Sequence, residues 1–300
     1  MRILSLLASG TEIVCALGAG DSLVGRSHEC DNPAWVRSLP CCTEPAFDIS
    51  VSSGAINAEV NRRIRSGEPL YQVHNELIRE LRPDVIITQA HCEVCAVSPG
   101  DIERSGCEVF DSKIVTLNAS TVDGILDSIS QVAGALGLSA TGMALVGEER
   151  QRLENVRTKT SGLRQPSVVM LEWTDPIFAM GNWGPELVEF AHGDLRIGGK
   201  GQYSTAIAGE RVLEADPEYL IVAPCGFDVP RTLREQPVLE SYTWWSQLQA
   251  VRSGKVAFAD GNLFFNRSGM TISQTAEIIA EILHGVTFGA PSENKYWRWI

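Results

Sequence analysis

The stretch Pro83 to Cys95, PDVIITQAHCEVC, constrains this chain more than any other. After the turn-forming Arg82-Pro83-Asp84, Val85, Ile86 and Ile87 make a short continuous apolar run. Strands buried on both faces of a parallel sheet read this way, because neither face meets water. The run passes into Gln89, His91, Cys92, Glu93 and Cys95, side chains that ligate metals or exchange hydrogen bonds. Open parallel sheets hold ligands at the carboxyl ends of their strands, so this burst falls where a site belongs.

The pattern occurs twice. Asp216-Pro217-Glu218 opens a second run, Tyr219 to Val222, which ends in Ala223-Pro224-Cys225-Gly226-Phe227. Likewise Arg2 to Leu7 runs into Ala8-Ser9-Gly10-Thr11-Glu12 and an apolar helix, and Val168 to Leu171 runs into Trp173-Thr174-Asp175-Pro176 and a helix around Glu186-Leu187-Val188. Two α/β lobes of similar plan, facing one another across a cleft, account for both parallels. A plain succession of strand–loop–helix units accounts for them too. The expected fold class is α/β: two Rossmann-like lobes with mainly parallel sheets, over 1–118 and 139–300, joined by a long helix over 119–138.

Three hundred residues suit two such lobes. The formal charge of -12 argues against a nucleic-acid backbone or an anionic membrane as partner. No run approaches the roughly 20 apolar residues of a membrane helix. Met1-Arg2 leads directly into the first strand, and Leu6-Leu7 ends at Ser9-Gly10, too short for the apolar core of a signal peptide. The chain therefore reads as cytoplasmic, with its eight cysteines mostly reduced. Cys15 and Cys107 lie among apolar neighbours and read as core.

Thr11 is the expected N-cap of the first helix. A polar loop, Arg26 to Pro33, follows the second strand; with His28 and Cys30 it reads as a ligand loop or as a solvated turn. A helix over 55–66 places Ile56, Val60 and Ile64 inward and Arg62, Arg63 and Arg65 on a solvated face. From Ser120, with Asp123 as a capping-box partner, Val122, Ile125, Leu126, Ile129, Ala133 and Leu136 share one face of a helix that Gly137 closes. Roughly 17 residues at 1.5 Å each span about 25 Å. A helix in that position limits hinge motion and leaves a preformed cleft. The next helix, 140–160, puts Glu148, Glu149, Arg150, Arg152 and Glu154 on an exposed side.

The second lobe is aromatic where the first is rich in thiols. Trp173, Phe178, Trp183 and Tyr203 stand near loops kept supple by Gly181, Gly184, Gly198, Gly199 and Gly201. Large flat side chains on loops suit a flat or bulky ligand, and equally they pack cores. Phe178 and Trp245 read as core; Trp173 and Trp183, set among Asp175, Pro176, Asn182 and Gly184, read as site. The tail Tyr296 to Trp299 is expected to dock on the body.

The opening ILSLLASGTEIVCALGAGDSLVGRSHECDNP, the strand PDVIITQAHCEVCAV, the long helix and GNWGPELVEFAHG together resemble cobalamin-binding proteins. More broadly they resemble the helix-linked substrate-binding proteins of ABC importers for cobalamin, haem and ferric siderophores. The resemblance spans nearly the whole chain. It implies a ligand held between the lobes by Ser9 and Gly10, Ser27 and His28, Gln89, His91 and Cys92, Trp173, Trp183, Tyr203, Phe264 and Asn266. Tryptophan and tyrosine suit a corrin ring, while serine, glutamine and asparagine suit its amides. It further implies binding without catalysis, cobalamin or a related corrinoid as the ligand, and an ABC permease as a possible partner, docked through acids such as Glu103 and Glu186. Another metal chelate, haem or a siderophore, remains an alternative. So does a bare soft ion such as zinc on His28, Cys30, His91, Cys92 and Cys95, or a metal-dependent enzyme built on those loops. The P-loop, the G-x-S-x-G elbow and H-E-x-x-H are absent from the sequence.

Overall fold

The computed structural model describes residues 1–90, 100 and 112–300. The chain forms two compact units, one from 1–51, 55–119 and 123–148, the other from 52–54, 120–122 and 149–300. In chain order the elements lying wholly or mainly in the first unit are β1 (Ile3–Ser5), α1 (Ala8–Ala16), β2 (Leu23–Arg26), β3 (Thr43–Pro45), α2 (Ser53–Ser66), β4 (Tyr71–Val73), α3 (Asn75–Leu81), β5 (Val85–Gln89), β6 (Lys113–Leu117) and α4 (Val122–Ala135), with Ser53, Gly54 and Val122 belonging to the second unit. Its main sheet runs β2-β1-β5-β6, parallel throughout, and β3 and β4 make a small antiparallel pair. Every residue of β5 is buried, as its unbroken apolar run requires.

Helix α1 starts four residues earlier than an N-cap at Thr11 would place it. Leu7 is extended (φ -139°, ψ 129°) and the helix follows at once. The Thr11 hydroxyl donates to Cys30 Sγ at 3.0 Å and caps nothing. Gly10 makes this entry possible: a Cβ there would stand 2.6 Å from Ile87 Cγ2 on β5. In α2 the inward stripe fails at its end. Ile56 is 9% exposed but Ile64 is 54% exposed. The outward arginines are not merely solvated: Arg62 meets Glu59 (2.8 Å) and Glu68 (2.6 Å), and Arg63 meets Glu59 (2.7 Å). Such exposed pairs contribute little. The expected face of α4 is buried in full, and Gly137 (φ +74°) follows its end.

Helix α5 (Ser139–Thr160) carries the chain onward, and the division between units falls within it, after Glu148. The second unit continues with β7 (Ser167–Thr174), β8 (Ile177–Ala179), α6 (Gly184–Phe190), β9 (Asp194–Leu195), β10 (Thr205–Ala206), α7 (Gly209–Ala215), β11 (Tyr219–Val222), α8 (Val229–Leu233), α9 (Gln236–Glu240), α10 (Gln249–Arg252), β12 (Val256–Ala259), α11 (Ile272–His284) and β13 (Trp297–Trp299). Its sheet is mixed. Strands β9, β7, β11 and β12 are parallel, in an order matching β2, β1, β5 and β6, while β8, β10 and β13 are antiparallel additions. The internal repeat read from the sequence is thus a repeat of strand order. The tail docks as β13 along β12, with Trp297 2% exposed and its ring 4.9 Å from that of Trp299. Covering a strand edge in this way removes a site of unwanted pairing.

The core of this unit joins Val169, Leu171, Leu220, Val222 and Phe258 to Trp244 and Trp245. Glu149, expected on the exposed side of α5, is 4% exposed. It accepts from the Ser273 N–H at 3.4 Å and faces Arg152 at 3.5 Å. Burial first of all pushes its carboxyl above the usual range.

Gly10→Ala is expected to cost about 1–3 kcal/mol through overpacking against Ile87, measured by urea denaturation. Gly147→Ala, on exposed α5 with open space at its Cβ, is expected to stabilise by about 0.5–1 kcal/mol in the same assay.

Candidate functional site

A parallel sheet offers a ligand site where neighbouring strands send their connections in opposite directions. The strand orders place that point between β1 and β5 in the first unit, and between β7 and β11 in the second. The first unit's rim is tied by Leu6 N–H to Ile87 O (2.8 Å) and Ser27 N–H to Ser5 O (3.0 Å). Five residues chosen from the sequence therefore gather at one sheet end: Ser9 and Gly10 after β1, Ser27 and His28 after β2, Gln89 closing β5. Ser9, Ser27 and Gln89 are buried there.

His28 is half-buried. Its Nδ1 lies 2.9 Å from Thr43 Oγ1, and its ring 5.4 Å from that of Tyr71. Burial, then the charge of Arg26, lowers it to about 4, so the imidazole is neutral at pH 7. Cys30 is fully enclosed, taking the Thr11 hydroxyl at 3.0 Å and lying 3.3 Å from Ser27 Oγ and 3.7 Å from Ser5 O. Burial first of all pushes its thiol above the ordinary range. His91, Cys92, Glu93, Cys95, Glu103 and Cys107 lie outside the described residues. Among the described residues no group of three or more His, Cys, Asp or Glu is placed to hold a metal ion.

In the second unit Trp173, near the end of β7, is half-buried and donates from Nε1 to Asp175 O at 3.0 Å. Its ring lies 5.2 Å from that of Phe227, which follows β11. The Arg231 guanidinium stands over the Phe227 ring at 4.1 Å and donates to Glu235 Oε1 at 2.7 Å. Glu235 is 1% exposed; its Oε2 accepts from Thr174 Oγ1 (2.8 Å) and Ser53 Oγ (2.5 Å). The half-buried Trp173 ring, backed by the buried Phe227 ring with a cation seated on it, makes a platform for a flat ligand. Phe227, Arg231 and Glu235 were missed in the sequence. The available signal was Asp228-Val229-Pro230, a helix start, whose Asp228 Oδ1 caps the Arg231 N–H at 2.8 Å.

The other sequence choices in this unit do not share that platform's character. Trp183 is 7% exposed and forms the N-cap of α6, whereas Tyr203 is 64% exposed. Their loops are zipped together by Asn182 N–H to Gln202 O (2.6 Å) and Gly201 N–H to Asn182 O (2.8 Å). The glycines there serve close approach more than suppleness, since a Cβ on Gly181 would stand 2.3 Å from Gln202 O. Phe264 is 1% exposed and packs its ring 4.6 Å from that of Tyr296. Asn266 is a strap, donating from Nδ2 to Ala223 O (2.8 Å) and Gly261 O (3.2 Å). Glu186 is not the surface acid expected of a docking residue. It is 6% exposed, accepts the Val122 N–H at 2.8 Å and pairs with Lys200 at 2.8 Å.

A repeated parallel α/β unit with polar and aromatic side chains at its strand ends is the build of a substrate-binding protein. Residues 3–263 match the model of the periplasmic binding protein family, and the chain belongs to that family. It is similar to the vitamin B12-binding protein of Vibrio vulnificus, with 24% identity over 225 residues, covering 74% of this chain and 71% of the relative. In structure it is similar to a periplasmic heme binding protein from Pseudomonas aeruginosa (TM-score 0.74, 17% identity, 99% and 97% of the two chains). It is also similar to the periplasmic vitamin B12 binding protein BtuF of Vibrio cholerae (TM-score 0.66, 20% identity, 94% and 96%).

The cytoplasmic expectation is overturned by this membership, since the family is one of periplasmic binding proteins and both solved relatives are periplasmic. That expectation rested on the first residues running straight into β1, which describes those residues and not where the folded chain works. No helix among the described residues is long and apolar enough to cross a membrane.

Because His28 ionises near 6.5 in the unfolded chain and only near 4 when folded, it contributes stability in full above about pH 6.5. That contribution drains away as pH falls towards 4. His28→Asn is expected to lose less melting temperature than the parent between pH 7 and pH 4.5, measured by calorimetry. Glu235→Ala, which strands Arg231 and two hydroxyls, is expected to cost about 3–5 kcal/mol in chemical denaturation.

Proposed function

We propose that this protein binds a corrinoid, cobalamin or a close relative, without turning it over, and delivers it to an ABC permease. The observation that carries the reading is the half-buried Trp173 ring, backed by buried Phe227 and the Arg231 guanidinium, at the β7/β11 switch point. It has the flat, polarisable surface that a macrocycle or its benzimidazole would meet. The similarity to vitamin B12-binding proteins in both sequence and fold supports the ligand class. Ser27, Gln89 and Tyr203 supply hydrogen-bonding groups matched to peripheral amides. His28 is kept in the neutral form that ligates a metal, and with Nδ1 committed to Thr43 its Nε2 is the nitrogen left for cobalt.

Haem is the second reading, favoured by the fold shared with a heme binding protein. Of the zinc alternative on His28, Cys30, His91, Cys92 and Cys95, the last three lie outside the described residues, and the described residues hold no group of three or more His, Cys, Asp or Glu placed for a metal ion.

Titration of the purified protein with hydroxocobalamin is expected to shift the visible spectrum and quench tryptophan fluorescence. Trp173→Ala is expected to weaken binding by about tenfold or more, the size of a lost stacking contact in a desolvated site. Haemin in parallel tests the second reading. No response to any corrinoid at high micromolar concentration would remove the corrinoid proposal.

A further inference from the structure

The amino terminus of α1 is both buried and open. Its hydrogen-bond ladder starts with Thr11 N–H to Leu7 O at 3.0 Å, so the N–H groups of Ala8, Ser9 and Gly10 stand ahead of it. Leu7, the N-cap residue, has no side chain able to accept from them. Ala8 is 8% exposed and Ser9 2%, and Gly10 is buried. Among the described residues the Ser9 hydroxyl, inside this first turn, has no hydrogen-bond partner. The acid of the next turn, Glu12, is 3% exposed and its Oε1 accepts from Asn32 Nδ2 at 2.8 Å.

An unmade buried hydrogen bond costs about 1–3 kcal/mol, and native proteins keep such donors where a water, ion or ligand supplies the acceptor. The helix dipole adds positive potential at the same point. The place is the β1/β5 switch point, with the Gly10 backbone packed on Ile87 one strand away. The Ser9 hydroxyl and the leading N–H groups are donors that an acceptor oxygen would satisfy.

We propose that the first turn of α1, through the Ser9 hydroxyl and the leading N–H groups, receives an oxyanion of the ligand, a phosphate or carboxylate oxygen. The identity of that anion rests on the corrinoid reading. Cobalamin carries a phosphodiester in its nucleotide arm, cobinamide lacks that arm, and haemin carries carboxylates, so the three probes separate the sources.

The test compares the full-length parent chain with Ser9→Asp and Ser9→Ala. The aspartate brings its own anion to the turn and competes for it; the alanine removes only the hydroxyl. Ser9→Asp is expected to weaken cobalamin by about tenfold or more while changing cobinamide by less than about twofold, the scale of a lost charge-assisted hydrogen bond. Ser9→Ala is expected to shift cobalamin in the same direction by a smaller factor, and it decides the matter if the aspartate variant does not fold. Equal losses for cobalamin and cobinamide, or parent affinity in both variants, would overturn the receptor. Inorganic phosphate separates this failure from failure of the ligand reading. If no corrinoid binds the parent, yet phosphate moves the amide resonances of Ser9 and Gly10 and the aspartate variant abolishes that response, the receptor stands and the ligand reading falls. If phosphate moves nothing and no corrinoid binds, both fall.

Discussion

Parallel pairing of a central strand with two parallel neighbours governs everything else in each unit. Strand β5 joins β1 to β6, and β11 joins β7 to β12, residue against residue over four or five positions where the strands are longest. Because both faces of such a sheet must be covered by helices, the strands become continuous apolar runs, and polar chemistry is driven to their ends. The orders in which β2 lies beside β1, and β9 beside β7, then decide where the connections part. The site is a consequence of pairing before it is a consequence of any particular side chain.

The two rims solve the same problem with different chemistry. The first is made of small hydroxyls, a neutral imidazole and an open helix end, all close to backbone. The second is made of aromatic rings held by a buried ion pair, with Glu235 satisfied by Arg231, Thr174 and Ser53 together. A buried carboxylate is tolerable only when its oxygens are fully engaged, and this one is engaged at both. Arg231 is thereby immobilised over Phe227 with no further ordering to be done when a ligand arrives.

Much of the fold was legible because parallel strands and amphipathic helices leave periodic traces. The buried strand Val85–Gln89, the α4 stripe closed before Gly137 and the docked tail all follow from apolar spacing. What escaped was geometry between elements. Thr11 looks like a cap, yet its hydroxyl is taken by Cys30 from another loop. Glu149 and Glu186 look like surface acids, yet tertiary packing enclosed both and supplied a backbone N–H to each. Phe264 looks like a site aromatic, yet Tyr296 of the returning tail closes over it.

The sequence by itself determined the α/β class, the doubled strand–loop plan and the residue types gathered at strand ends, because each depends on local spacing of apolar and polar side chains. Tertiary structure alone decided which aromatic rings stay half-open, which acids are consumed in the interior, and that Gly10 and Ser9 form an uncapped, buried helix entry rather than a loop. Those outcomes turn on contacts between residues far apart in the chain, where a few tenths of an ångström between a Cβ and its neighbour settle what fits.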